Sequence, residues 1–217
     1  MADFDKARRN MVDSQIRAVE VRDSAVIEAM RAVPREVFVP DHLKGVAYVD
    51  EDLHVGGDRY VMEPMVLARL LQAARIGPGD TALAIGCTTG YAVALLARMA
   101  ETVVGVERDP NFVATADRLL AELGVDNAAV VEGPLDEGYP RQAPYDVILI
   151  EGRCGEVPER ITDQLAEGGR LVTALDERGV GKAVIMRRSG RAVGMRKLFD
   201  AHVPMLRGFE RKPAFQF

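Results

Sequence analysis

The residues best placed to do chemistry lie in one short turn, Ile85-Gly86-Cys87-Thr88-Thr89-Gly90-Tyr91, and in one acid further along, Glu107. The turn follows a short apolar run, Thr81-Ala82-Leu83-Ala84-Ile85, and precedes an Ala- and Leu-rich stretch. In nucleotide-binding α/β folds such a turn is glycine-rich so that backbone can approach a ligand closely. The free N–H groups and positive dipole end of the following helix favour an anionic group there. Glu107 closes a second apolar run, Thr102–Val106, 21 residues after Gly86. An acid at about that offset commonly accepts hydrogen bonds from ribose hydroxyls. The pairing of glycine turn, strand and terminal acid therefore reads as a nucleoside site. Gly-x-Gly-x-x-Gly spacing is lacking, which argues against a dinucleotide-dependent dehydrogenase.

The elements that position these residues follow a strand–helix alternation. Strands are expected at Thr81–Ile85, Thr102–Val106, Ala128–Val131, Tyr145–Ile150 and Arg170–Leu175. Tyr145–Ile150 is nearly continuous in apolar residues, as suits a strand buried on both faces. Helices are expected at Tyr91–Ala100, at Pro110–Leu123 with Gly124 just past its end, and at Pro158–Ala166 before Gly168-Gly169. Ala183–Arg187 and Val193–Phe199 suit an antiparallel pair. The fold class expected is α/β, a doubly wound and mostly parallel seven-stranded sheet with a helical and loop N-terminal extension. Residues 1–76 form that extension and residues 77–217 the binding domain, in one compact unit. Within the extension, Asp23-Ser24 offers an N-cap for a helix bearing Val26, Ile27, Met30 and Val33, which Pro34 stops. Val37 to Tyr60 lacks sustained periodicity and reads as a loop-rich stretch laid over the main domain, and a further helix spans Glu63–Ala74 with Pro64 in its first turn.

Composition bounds the rest. With 48% hydrophobic and 28% charged residues the 217-residue chain has globular character, which argues against long disorder. A net charge of -5 disfavours nucleic acid as a main partner, and no apolar run approaches the ~20 residues that span a bilayer. Cys87 and Cys154 are too few for a disulfide framework, and His42, His54 and His202 show no metal-ligand spacing. The start lacks signal-peptide features, so no membrane, no metal and a cytoplasmic location are expected.

Several blocks, taken in order, resemble the protein-L-isoaspartate (D-aspartate) O-methyltransferase family of the class I S-adenosylmethionine-dependent superfamily. They are Asn10-Met11-Val12 with Gln15-Ile16, Ala29 through Pro40, Ala47 through Asp50, Ala143 through Ile148, and Pro158 with Gln164 through Val172. The resemblance implies a carboxyl methyltransferase acting on damaged aspartyl residues in isoaspartyl-containing proteins or peptides. Its cofactor is S-adenosyl-L-methionine and its product S-adenosyl-L-homocysteine. It implies further that Gly86, Cys87, Thr88, Gly90 and Tyr91 line the methionine end, that Glu107 and the adjacent Arg108 hold the ribose region, and that Glu132 and Gly133 sit beside the adenine. Tyr91 is equally open to a packing role, Glu132 to that of a solvated strand-end acid, and Cys87 to that of an inert small residue. The acceptor carboxylate, with an ordinary pKa near ~3.9, is ionised at neutral pH, so the reaction needs no general base.

Three departures from the family pattern stand out. Ala84 replaces an acid two positions before the first glycine, and Thr88 replaces the middle glycine of the turn. The substrate loop, Gly57 through Pro64, lacks the family's hydroxyl residues and carries Arg59, Tyr60, Met62 and Glu63 instead. Arg59 either binds an anionic group or faces solvent, and Glu63 caps the following helix. These departures keep open a different acceptor, or a cofactor-binding or regulatory homologue with little repair activity.

Overall fold

The computed structural model describes residues 3–211. Helix α1 (Phe4–Met11) is capped by the Asp3 carboxylate on Lys6 N–H and runs into a π-helical turn and a 3₁₀ turn ending at Val19. In α2 (Ser24–Ala32) the Asp23 side chain accepts from Ala25 and Val26 N–H, and Val33 leaves the helix just before Pro34, as the cap and stop residues require. Next come β1 (Leu53–Gly56), β2 (Arg59–Val61) and α3 (Pro64–Ala74). The remaining elements are β3 (Thr81–Ile85), α4 (Tyr91–Ala97), β4 (Thr102–Glu107), α5 (Pro110–Glu122), β5 (Ala128–Glu132), β6 (Tyr145–Cys154), α6 (Glu159–Thr162), β7 (Leu165–Glu177), β8 (Val180–Ser189) and β9 (Ala192–Asp200).

Strands β3 to β9 form one seven-stranded sheet in the order β5-β4-β3-β6-β7-β8-β9. The first five pair in parallel, and β8 and β9 add an antiparallel edge. The order reverses at β3, whose neighbours are β4 and β6, so a crevice opens beyond the carboxyl ends of β3 and β6. The central strands face two cores by strict alternation. Ala82, Ala84, Val147 and Leu149 join the core beneath α2, α3, α4 and α5, whereas Leu83, Ile85, Ile148 and Ile150 join a second, smaller one. That second core is closed by Ile161 of α6 and by Leu206 and Phe209 of the C-terminal segment. Met11, Ile16, Met30 and Phe38 share the first core with the sheet. No helix among the described residues is long and apolar enough to cross a membrane.

Three expectations need correction. The stretch read as loop contains an antiparallel hairpin, β1 against β2, registered Leu53↔Val61 and His54↔Tyr60. Strands this short leave too few residues for a period-2 pattern to show. The helix expected over Pro158–Ala166 is a single turn. Gln164 breaks it by turning its side chain back onto the carbonyls of Glu137 and Arg160, while its own carbonyl accepts from Tyr145 N–H, so Leu165 begins β7. Finally, α4 stops at Ala97, short of Ala100.

Candidate active site

The glycine turn has the backbone its composition suggests. Gly86 and Gly90 have φ of +80° and +95°, and Thr88 takes a left-handed φ of 47°. Thr88 thus supplies the conformation that a glycine would adopt more cheaply. Gly86 N–H donates to Val106 O at 2.8 Å, which sets the turn against the end of β4. A methyl group on Gly90 would lie 3.1 Å from Ala116 Cβ, so glycine there lets α4 and α5 approach. Thr89 fixes the outer side of the turn through its hydroxyl on Phe38 O, at 2.6 Å.

Glu107 is fully buried, and both carboxylate oxygens are engaged. Oε1 accepts from Arg108 N–H at 2.8 Å and Asp109 N–H at 3.3 Å. Oε2 accepts from Thr88 N–H at 3.0 Å and from Arg59 Nη2 at 2.7 Å. Arg59 is itself only 3% exposed, which overturns its reading as a solvent-facing loop residue. A buried guanidinium needs a partner, and the hairpin aims it at one.

The other candidates fall into separate places. Glu132 ends β5 opposite Glu107 in register and is exposed, and Gly133 N–H donates to Glu107 O at 3.0 Å. Cys87 is buried against Gly105, and burial pushes its thiol well above the ordinary range, so it is an inert packing residue. Tyr91 is buried with its ring 5.6 Å from that of Phe38 and beneath the Arg35 guanidinium, so packing describes its position. In the substrate loop Met62 is buried, and Tyr60 tilts against His54 at the surface. Glu63 does not cap α3. Two other acids meet the free N–H groups there, Asp52 on Glu63 N–H at 2.9 Å and Asp50 on Met65 N–H at 2.8 Å. Burial, aided by its acidic neighbours, pushes Glu63 up to about 7, and burial lifts Asp52 to about 6.

Four contributors escaped the sequence reading: Arg35, Glu151 and Leu206, which reach the site from far along the chain, and Asp58, which sits beside Arg59 in the substrate loop. Glu151 follows the apolar part of β6 as Glu107 follows that of β4, a parallel that offered a signal. Burial pushes its carboxyl up to about 8, Arg59 pulls the other way and Glu107 adds to the rise.

A family model described as protein-L-isoaspartate(D-aspartate) O-methyltransferase matches residues 6–207. The chain belongs to this family. A protein-L-isoaspartate O-methyltransferase of Methanoregula boonei is 40% identical over 183 residues, covering 84% of each chain. One from Methylorubrum extorquens is 38% identical over 205 residues, covering 94% of this chain and 90% of its own. A solved protein-L-isoaspartate O-methyltransferase superposes with a TM-score of 0.83 at 25% identity, covering 94% of this chain and 67% of its own. A Plasmodium falciparum structure, described as a putative member in complex with S-adenosyl-L-homocysteine, shares the fold with a TM-score of 0.80 at 19% identity, over 95% of this chain and 99% of its own. The expected fold and the methyltransferase class therefore hold, and S-adenosylmethionine is the methyl donor of the family.

In this conformation the space over the glycine turn is filled by the protein's own side chains. A Cβ on Gly86 would lie 2.9 Å from Arg59 Nη2 and 3.2 Å from Leu206 Cδ1, so both side chains pack directly against the backbone of the turn. The cleft that Arg59 lines with Glu151, Gly152 and Leu206 has a volume of ≈ 10 Å³, enough for about one water molecule.

Proposed function

We propose that this chain methylates the side-chain carboxylate of isoaspartyl residues in damaged proteins or peptides, from a form in which Arg59 has left Glu107. The observation that carries the reading is Glu107 itself. It is a fully buried carboxylate at the carboxyl end of β4, beside a glycine turn at the switch point of the sheet. In the proposed assignment Glu107 accepts from ribose hydroxyls, Glu132 and Gly133 flank the base, and the turn from Gly86 to Gly90 faces the methionine end. The chain's own work is to bind and orient, because the acceptor is already ionised at neutral pH and alignment alone can accelerate transfer strongly. Residues 1–76 serve as the cover that carries the substrate loop, and residues 77–217 as the binding unit. Free, buried Cys87 and Cys154 support placement in the reducing cytoplasm.

A methyl-transfer assay on an isoaspartyl peptide and its aspartyl counterpart tests the proposal. Transfer confined to the isoaspartyl peptide is expected, and transfer to neither overturns it. The loop residues Arg59, Tyr60, Met62 and Glu63 favour one second reading, a different carboxylate acceptor. Transfer to both peptides alike supports that reading instead.

A further inference from the structure

The material filling the pocket is tied down at both ends. Asp58 and Arg59 are consecutive at the start of β2, and Glu107 and Arg108 are consecutive at the end of β4. The four side chains pair crosswise, Arg59 with Glu107 and Arg108 with Asp58. Arg207 adds a second cation on Asp58, with Nε to Oδ2 at 3.2 Å. The inner pair is buried, whereas Arg108 and Arg207 reach solvent. Leu206, next to Arg207, closes over Gly86 and is held to β6 by two backbone hydrogen bonds of 2.8 Å, Arg153 N–H to Pro204 O and Leu206 N–H to Arg153 O.

We infer that Arg59 is an internal ligand of the nucleoside pocket: its guanidinium takes the place of ribose hydroxyls on Glu107, and a nucleoside enters only when hairpin β1–β2 lifts it out. This rests on the reading of the chain as an S-adenosylmethionine-dependent methyltransferase. Three of the four hydrogen bonds to the Glu107 carboxylate come from backbone that the turn and the end of β4 supply whatever else is bound. Only the fourth, from Arg59, comes from a separate element. It is therefore the one contact that a ligand can exchange. Guanidinium and hydroxyl donors both make charge-assisted hydrogen bonds to the carboxylate, but only the guanidinium also brings a full opposite charge to it, so the internal ligand outcompetes hydroxyl donors until ligand is abundant. Apparent affinity falls by the fraction of molecules with the hairpin raised.

Calorimetric titration of the full chain with S-adenosyl-L-homocysteine tests this on the native protein, Arg59→Gln and Asp58→Asn. Arg59→Gln is expected to bind at least tenfold tighter than native. Asp58→Asn, which releases only the outer pair, is expected to bind a few-fold tighter. Added salt should shrink that smaller difference, because the outer pair is screened. In the native protein the ligand should speed amide hydrogen exchange over residues 53–61. Equal affinities in native and Arg59→Gln, no binding by any of the three, or unchanged hairpin protection overturns the inference. If Arg59→Gln does not fold, Asp58→Asn and the exchange measurement decide. Tight binding by Arg59→Gln without methyl transfer to either peptide by any variant sinks the proposed function and leaves the internal ligand standing. Native methyl transfer with affinity unmoved by Arg59→Gln does the reverse.

Discussion

Arg35 and Arg59 are both buried arginines packed beside the same turn, one over Tyr91 and one against Gly86, yet they are held in different ways. Arg35 donates to neutral carbonyls, Ala47 O at 2.7 Å and Val61 O at 3.4 Å, and lies 4.9 Å over the Tyr91 ring. Burial lowers its pKa. Arg59 instead meets a carboxylate, the one that the proposed function assigns to ribose hydroxyls. Neutral acceptors inside a fold have no alternative partner, so Arg35 fixes the base of the hairpin at Val61 beside Tyr91, while the Asp58–Arg59 tip is the part that lifts. A carboxylate at a crevice can trade one donor for another, so the bond of Arg59 is exchangeable. Burial alone does not separate the two. The chemistry of the acceptor does.

The largest expected effect tests the permanent half of this contrast. Arg35→Met should cost about 3–5 kcal/mol of stability, because Ala47 and Val61 carbonyls lose their donor and no water can replace it. Urea unfolding measures it, and a loss below about 1 kcal/mol would show that the acceptors are satisfied otherwise.

A smaller effect tests the surroundings of Arg59. The folded-state pKa of Glu151, about 8, lies above its ordinary value of 4.5. Between those values the folded protein holds a proton that the unfolded chain releases, so this stabilisation is complete below pH 4.5 and lost as pH rises through 8. Arg59 and Arg35 temper that loss, and Glu107 deepens it. Glu151→Gln should therefore flatten the fall in melting temperature between pH 6 and 9 and gain on the order of a few kcal/mol at the alkaline end. Glu63 and Asp52, raised to about 7 and about 6, keep the lower part of the slope in the variant. Identical pH profiles would place the Glu151 carboxyl in contact with water.

The smallest effect concerns the donor that shares Glu107 Oε2 with Arg59. Thr88→Gly keeps the backbone N–H and relieves the left-handed strain of a β-branched residue, but adds unfolded-state entropy. Opposed terms of that kind leave a net change within about 1 kcal/mol. Thermal melts measure it, and a loss of several kcal/mol would mean that the Thr88 side chain, not its backbone, holds the turn.

What the sequence disclosed divides along the same line. The turn from Gly86 to Gly90, the strand ending in Glu107 and the cap at Asp23 were legible because each is fixed by neighbours within a few residues. The inward aim of Arg59 was not, since a three-residue strand has no period to reveal which way a side chain points. Its partner lies 48 positions on, and Leu206, which shares the space over Gly86, lies farther still. Glu63 misled for a related reason. An acid just before Pro64 suggests a cap by composition, and only the fold brings Asp50 and Asp52 to the same N–H groups.

The crosswise pairing also decides how the hairpin can move. Asp58 carries one negative charge and Arg59 one positive, so the tip that lifts is electrically neutral, and so is the Glu107-Arg108 edge it leaves. Because each pair of partners is joined by a single peptide bond, parting the inner couple carries the outer one away with it. The motion resembles undoing a double-pin plug, in which both contacts part in one stroke.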